Sequence, residues 1–439
     1  MLQNNKKIFR YLLILVIPSL LFMYTLCISN RIILSIEMFC LSIYFIFIIY
    51  FTKDLFNPSI FFFVNIFLGI MDIYFVAIKF RTVAFYHSIE IYEKSLFLIL
   101  IWLLTFSCGY KILNRKFLIN EKKKIDEYKN HKFNYSLIYI SLLFLTFLLV
   151  KVILTIKKSG TISMDLSFFD GQGFMVAMFP LCGFIPICFL EEKKKKCAIL
   201  STIVIFLTIS LSGRRYVAII TTVFPLLVYY HYKIKKIEVK NLILLAIPII
   251  IFVIIVGHIR LQNSHQVYSE NPLLNTMITL GKYIQYGQNL PDLVYTIDSK
   301  KIEYQGFTYI FRGVIGLIPR SIWVNKPEVD YSNITSQLVY GIDKGYGEPV
   351  GQFGWAYLCF GYFGVIFSGF LTGFIAKLFY KWMREKNNAY SIAVYSLLIM
   401  QVINIFTPDS QMKIILFILF ILFVSFFNSI RRDAYEKYY

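Results

Sequence analysis

The sequence predicts an all-α polytopic membrane protein with about twelve transmembrane helices and one large extracytoplasmic loop. Three observations carry that expectation. Hydrophobic residues make up 58% of the 439 positions and charged residues only 16%, with a mean hydropathy of +0.64; no water-soluble chain of this length has that balance. The apolar residues fall into runs, each close to the ~20 residues that cross a hydrocarbon core roughly 30 Å thick. The basic residues alternate in density from one connecting loop to the next, as the positive-inside rule requires.

In chain order the candidate spans are 11–29, 32–51, 58–79, 95–113, 136–156, 174–190, 197–212, 216–232, 241–258, 353–380, 389–406 and 412–430. The first is too long, and lacks the small-residue cleavage site, to be a removable signal peptide. The runs 174–190 and 197–212 are short for spans. The tenth carries Gly361, Gly364, Gly369 and Gly373. Its Gly369-x-x-x-Gly373 pair marks a surface for close helix packing inside the bundle. Intramembrane charges are few: Glu37, Asp72 and Lys151 stand away from the interfaces, and such residues are functional candidates by default. Lys151, near a span end, reads as a snorkelling side chain. Asp72 has Lys79 two turns away, as suited to a structural tie as to a proton relay.

The net charge of +20 would suggest nucleic acid in a soluble protein, but its distribution excludes that reading. With the N-terminus inside, 27 of the 45 Lys/Arg fall in cytoplasmic segments, among them Lys111–Lys132, Lys193–Lys196 and Lys233–Lys240; 10 flank the short outer loops. The charge is therefore topology signal and anionic-lipid contact, with no nucleic-acid partner. Both termini are expected in the cytoplasm. The chain then divides into an N-terminal bundle (1–259), a large outer loop (260–352) and C-terminal transmembrane helices (353–439).

The loop is the break in an otherwise regular pattern. Its 93 residues hold eight Lys/Arg and nine Tyr, and no stretch long enough to cross a bilayer. Residues 260–310 read as mixed helix and turn. Residues 311–327 combine apolar side chains with Arg312, Arg320, Trp323 and Lys326, a pattern for lying in the interface. Residues 340–354 are Gly-rich and lead into the tenth span. On the same face, the turn Ser212-Gly-Arg-Arg-Tyr216 presents two adjacent arginines against the local topology rule. One such Arg commonly anchors lipid phosphate; two on a Gly-initiated turn suit a dedicated anion site, since Arg clamps phosphate in bidentate fashion without losing its proton. Aromatic faces beside amides and carboxylates suit sugar rings. Together these features favour a lipid-linked glycan substrate.

The seven cysteines all lie within or at the ends of spans, and no Cys-x-x-Cys, His-x-x-x-His or His-Glu-x-x-His occurs. Core packing explains them better than metal or disulfide roles. No Gly-rich nucleotide loop is present either. No metal site and no cofactor are expected.

The order and placement of several motifs resemble oligosaccharide repeat-unit polymerases of the Wzy type. They are Pro319-Arg-Ser-Ile-Trp-Val-Asn-Lys-Pro327, then Gly347-Glu-Pro-Val-Gly-Gln-Phe-Gly-Trp-Ala-Tyr357 and Gly361-Tyr-Phe-Gly364, with Ser210-Leu-Ser-Gly-Arg-Arg-Tyr216 earlier in the chain. The resemblance implies a GT-C-like glycosyltransferase using a lipid-linked donor, placed in the bacterial inner membrane. It implies polymerisation of O-antigen or capsule repeat units carried on undecaprenyl pyrophosphate, on the periplasmic face. A chain-length regulator of the polysaccharide co-polymerase type is a further partner it implies, beside the membrane lipids.

In that reaction charge develops on a departing pyrophosphate, so preorganised arginines are the main electrostatic asset and no metal is obligatory. The candidates are Arg214 and Arg215, then Arg260, Arg312 and Arg320, with Arg215 and Arg320 taken as catalytic. Tyr283, Tyr286 and Trp323 are the candidate glycan contacts. The attacking hydroxyl needs a base, for which the outer face offers Glu348, Asp170, Asp292, Glu328, Asp330, Asp409, His258 and His265. Glu348 is favoured because a Gly-rich turn sets it beside the tenth span, although a carboxylate at a helix N-terminus also satisfies free amides. An O-antigen ligase shares topology and arginine chemistry and differs in its acceptor. A flippase or other transporter of the lipid-linked unit would show two related halves or paired interrupted helices, and the sequence has neither.

Overall fold

The computed structural model describes residues 32–51, 54–60, 87–112, 135–159, 178–211, 215–238, 286–318, 322–329, 331–341 and 350–438, with a few isolated positions between them. Every regular element among them is helical. Three helical stretches, Ile89–Ile112, Val217–Ile234 and Gly351–Lys386, are long and apolar enough to cross a membrane. The described residues cluster into two compact units: parts of 1–113, 254–311 and 327–377, and parts of 114–253, 312–326 and 378–439. The candidate spans 11–29 and 241–258, most of 58–79, and Asp72 lie outside the described residues.

The first unit is built on α1 (Ile32–Phe51) and α2 (Ile89–Ile112), which take up the predicted spans 32–51 and 95–113. Along α2 the buried positions Ser95, Ile99, Trp102, Phe106 and Tyr110 recur every three or four residues, the stripe of a helix that buries one face. Its partner is α12 (Gly351–Lys386), whose N-terminal part belongs to this unit. The sequence earmarked Gly369 and Gly373 for close packing, and the geometry agrees. A Cβ on Gly373 would lie 2.0 Å from the Phe106 carbonyl oxygen, and one on Gly369 would lie 2.6 Å from that of Trp102. From the other side, a Cβ on Gly109 would lie 2.0 Å from the Phe370 oxygen. The two backbones approach as closely as glycine permits.

The tenth predicted span is interrupted. Phe360 (φ −143°, ψ 21°) and Gly361 (φ 60°, ψ −143°) break α12 into two helices. A residue other than glycine would be strained at that φ. The carbonyls this break orphans find donors in the long loop: Gln305 N–H reaches the Leu358 oxygen and Gly306 N–H the Cys359 oxygen, both at 3.0 Å. The loop also supplies α8 (Tyr286–Asp298), α9 (Phe307–Ile310) and α11 (Tyr331–Tyr340). In α8, Leu290, Leu293, Val294 and Ile297 are buried, which leaves Asp292, Tyr295 and Asp298 on the open side at helical spacing.

The second unit contains α3 (Tyr135–Ser159), a 3₁₀ turn (Phe179–Gly183) running into α4 (Phe184–Glu191), α5 (Lys195–Leu211), α6 (Arg215–Thr221) and α7 (Val223–Tyr229). Leu145, Leu148, Phe179, Ile185, Ile205 and Ile209 meet in its core. The last nine residues of α12, α13 (Ala389–Ile403) and α14 (Pro408–Tyr438) complete it. Asn388 caps α13 reciprocally: its side chain accepts from Ser391 N–H at 2.7 Å while Ser391 Oγ accepts from Asn388 N–H at 3.2 Å. The short α10 (Arg312–Gly316) rests on α14, where a Cβ on Gly313 would meet the Pro408 oxygen at 2.4 Å. None of the six described cysteines forms a disulfide.

Candidate functional site

Titratable and aromatic side chains converge in the first unit where the N-terminal end of α2 meets α8. His87, just before α2, places Nε2 2.5 Å from Asp292 Oδ1. The second oxygen of the same carboxylate accepts a hydrogen bond from the Tyr340 hydroxyl at the end of α11. Both Asp292 oxygens are therefore engaged. Where the carboxylate is ionised and the imidazole neutral, this contact makes Nε2–H the donor and leaves the ring's lone pair on Nδ1. The imidazole stacks obliquely on Tyr295, with centroids 4.4 Å apart and planes inclined by 32°. On that ring also sits Lys301, its Nζ 5.2 Å from the centroid.

Six residues further along α8, Asp298 pairs with Lys94 of α2 at 2.5 Å and accepts from the Tyr357 hydroxyl at 3.4 Å. Lys94 lies 5.6 and 5.7 Å from the ring centroids of Tyr357 and Tyr362, which bracket the break in α12. Tyr304 packs edge-on against Tyr357 and also faces Gly361. The cluster is open to solvent: His87 and Asp292 keep 15% and 17% of their side-chain surface, and Tyr295 and Tyr304 are exposed. Half-open carboxylates, an imidazole and tyrosine faces in one patch can exchange protons with, and stack against, a polyhydroxylated ligand.

Of the residues singled out in the sequence, Asp292 is the one this cluster gathers around. His87, Lys94, Asp298 and Tyr340 did not stand out there. The signal available for His87 was thin: a histidine, one of five in the chain, in the short connection between the predicted spans 58–79 and 95–113 and followed closely by Glu90 and Glu93. Among the other candidates, Glu328 is half-buried and accepts from the neighbouring Val329 N–H, and Asp409 pairs with Lys413 one turn along α14 at 3.7 Å. Arg312 is half-buried on α10 and Trp323 is exposed. Arg215 starts α6 and Tyr286 starts α8. Arg214, Arg260, Arg320, Glu348, Tyr283, Asp170, Asp330, His258 and His265 lie outside the described residues. So does 342–349, within the Gly-rich stretch 340–354.

Lys326, read as an interfacial cation, is buried; its ammonium donates to the Gly316 and Ile318 carbonyls at 2.9 and 2.8 Å. Glu37 is buried on α1, and Lys151 is half-buried on α3. Among the described residues no three His, Cys, Asp or Glu side chains group as metal ligands would.

A family model described as O-antigen polysaccharide polymerase Wzy matches residues 9–432, nearly the whole chain. No curated protein and no solved structure matches it.

Proposed function

The chain belongs to the O-antigen polysaccharide polymerase Wzy family, and from that premise we propose that it polymerises oligosaccharide repeat units carried on undecaprenyl pyrophosphate. The growing glycan leaves its own lipid carrier and is joined to the non-reducing end of a new lipid-linked unit, releasing undecaprenyl pyrophosphate. The reaction runs on the periplasmic face of a bacterial inner membrane, in a GT-C-like bundle of about twelve spans whose termini are cytoplasmic. The segment 260–352 is the periplasmic loop between the bundle 1–259 and the helices 353–439. A regulator of chain length acts alongside. The family match over 9–432 carries this reading. It is supported by the contacts of His87 and Lys94 with Asp292 and Asp298 of α8, which join the N-terminal end of α2 to that helix.

The leaving pyrophosphate gathers charge as the glycosidic bond breaks, and Arg214, Arg215, Arg260, Arg312 and Arg320 are the groups to meet it, without a metal. Tyr283, Tyr286 and Trp323 contact the glycan. The proton of the attacking hydroxyl goes to a base on the same face, for which Glu348 and the Asp292 cluster are the two sources.

Deleting the gene in its own strain tests the reaction. Lipid A-core carrying a single repeat unit is expected. Loss of all attached glycan, with polymer accumulating on undecaprenyl pyrophosphate, would make the chain a ligase. Within a polymerase, Arg214→Lys, Arg215→Lys and Arg320→Lys should each cost roughly 100- to 1000-fold in rate, because Lys keeps the charge but loses the forked contact. Wild-type polymer ladders from all three, at matched protein levels, would reduce these arginines to lipid anchors.

A further inference from the structure

We propose that His87 is the base that takes the proton from the attacking sugar hydroxyl, with Asp292 and Tyr340 as its positioning residues. The proposal rests on the polymerase reading and deepens it. Asp292 cannot readily be the base itself, since one oxygen accepts from His87 Nε2–H at 2.5 Å and the other from the Tyr340 hydroxyl. That double engagement fixes the carboxylate, and an ionised carboxylate beside a neutral ring selects the Nε2–H tautomer, leaving Nδ1 as the proton acceptor. Tyr295 under one face of the imidazole holds its plane. The group is neither sealed nor flooded: 15% of the His87 side chain is exposed. Tyr295 and Tyr340 beside it are 39% and 38% exposed, aromatic surface of the kind that packs against a sugar.

The step balances without any added reagent. The acceptor oxygen forms a bond to the anomeric carbon of the donor glycan as its hydrogen passes to His87 Nδ1. The bond from that carbon to the pyrophosphate breaks, and its electron pair leaves on the phosphate oxygen. The imidazolium, stabilised by Asp292, then releases its proton to solvent, and the ring is ready again. A base placed this way contributes typically about 10²- to 10⁴-fold.

The alternative is that His87 and Asp292 only tie α8 to α2. The test uses full-length protein in detergent or nanodiscs. Its substrate is the lipid-linked repeat unit extracted from a strain lacking this gene. Wild-type protein that makes no polymer from this material refutes the polymerase reading, and with it this step. Given wild-type activity, His87→Ala and His87→Gln should each lower turnover by about 10²- to 10⁴-fold, with binding of the lipid-linked unit retained. Added imidazole should restore His87→Ala in a concentration-dependent way, which repair of a merely structural tie would not do. Asp292→Asn, close in shape, should also lower turnover, because an amide can hold the ring in the wrong tautomer. Wild-type turnover in His87→Gln, or failure of imidazole to restore a folded His87→Ala, would overturn the assignment while leaving the polymerase intact. So would a loss confined to Glu348→Gln.

Discussion

Two neighbouring stretches of the long loop use their charges in opposite ways. In 286–310, Asp292 and Asp298 on the open side of α8 and Lys301 just beyond its end meet His87, Tyr340, Lys94 and Tyr295 through side chains that keep solvent access. In 312–326 the ammonium of Lys326 is buried and its donors go to two backbone carbonyls, while Gly313 lets α10 lie against α14. In the first stretch a charge remains able to gain or lose a partner. In the second it has become part of the fold. A basic, aromatic loop is thus not uniformly a binding surface, and the count of cations in it overstates what a ligand can touch.

Substitutions can sharpen or break this contrast. The largest stability effect is expected for Lys326→Met, which leaves the Gly316 and Ile318 carbonyls without that donor, at about 1–3 kcal/mol each. Chemical or thermal denaturation in detergent should show the loss, with turnover per folded molecule near normal. A stable but inactive Lys326→Met would erase the contrast, because the second stretch would then carry chemistry. Gly313→Ala should cost about 1–3 kcal/mol by overpacking, since its Cβ would sit 2.4 Å from the Pro408 oxygen and 2.5 Å from Gln411 Cβ. The same denaturation series measures it, and an unchanged midpoint would mean that α10 lifts off α14 freely. The smallest effect belongs to the first stretch. Lys94→Met, which removes the partly exposed pair with Asp298, should change stability by about 0–1 kcal/mol. A loss as large as that of Lys326→Met would show that α8 too is held mainly by buried charge.

The helical segments were legible because an apolar run of span length has few other solutions: α1, α2, α3 and α12–α14 fall on predicted runs. The Gly369/Gly373 face was legible for the same reason, since small residues at that spacing have one main use in a membrane. Gly361 misled. As one of four glycines in the run it reads as packing, whereas its positive φ breaks the helix. Nothing local distinguishes these roles, because the donors that make the break tolerable, Gln305 and Gly306, come from the loop. The family was legible from the order of Pro319–Pro327 and Gly347–Tyr357, and the match over 9–432 agrees. The site was less so. His87 and Asp292 are 205 positions apart in the chain, and a sequence carries no distance between them. Lys326 reads as an interfacial cation because composition gives its charge but not its burial.

The pairing of Gln305 and Gly306 with the broken end of α12 turns two amides of an irregular stretch into reporters on a helix. Backbone hydrogens in such a stretch ordinarily trade with deuterium quickly, since nothing cooperative protects them. These two can exchange only when the Leu358 and Cys359 carbonyls are released. Their deuterium uptake should therefore track the opening of α12 at Gly361. An isotope-exchange experiment could follow movement at the break through hydrogens that lie outside the helix itself.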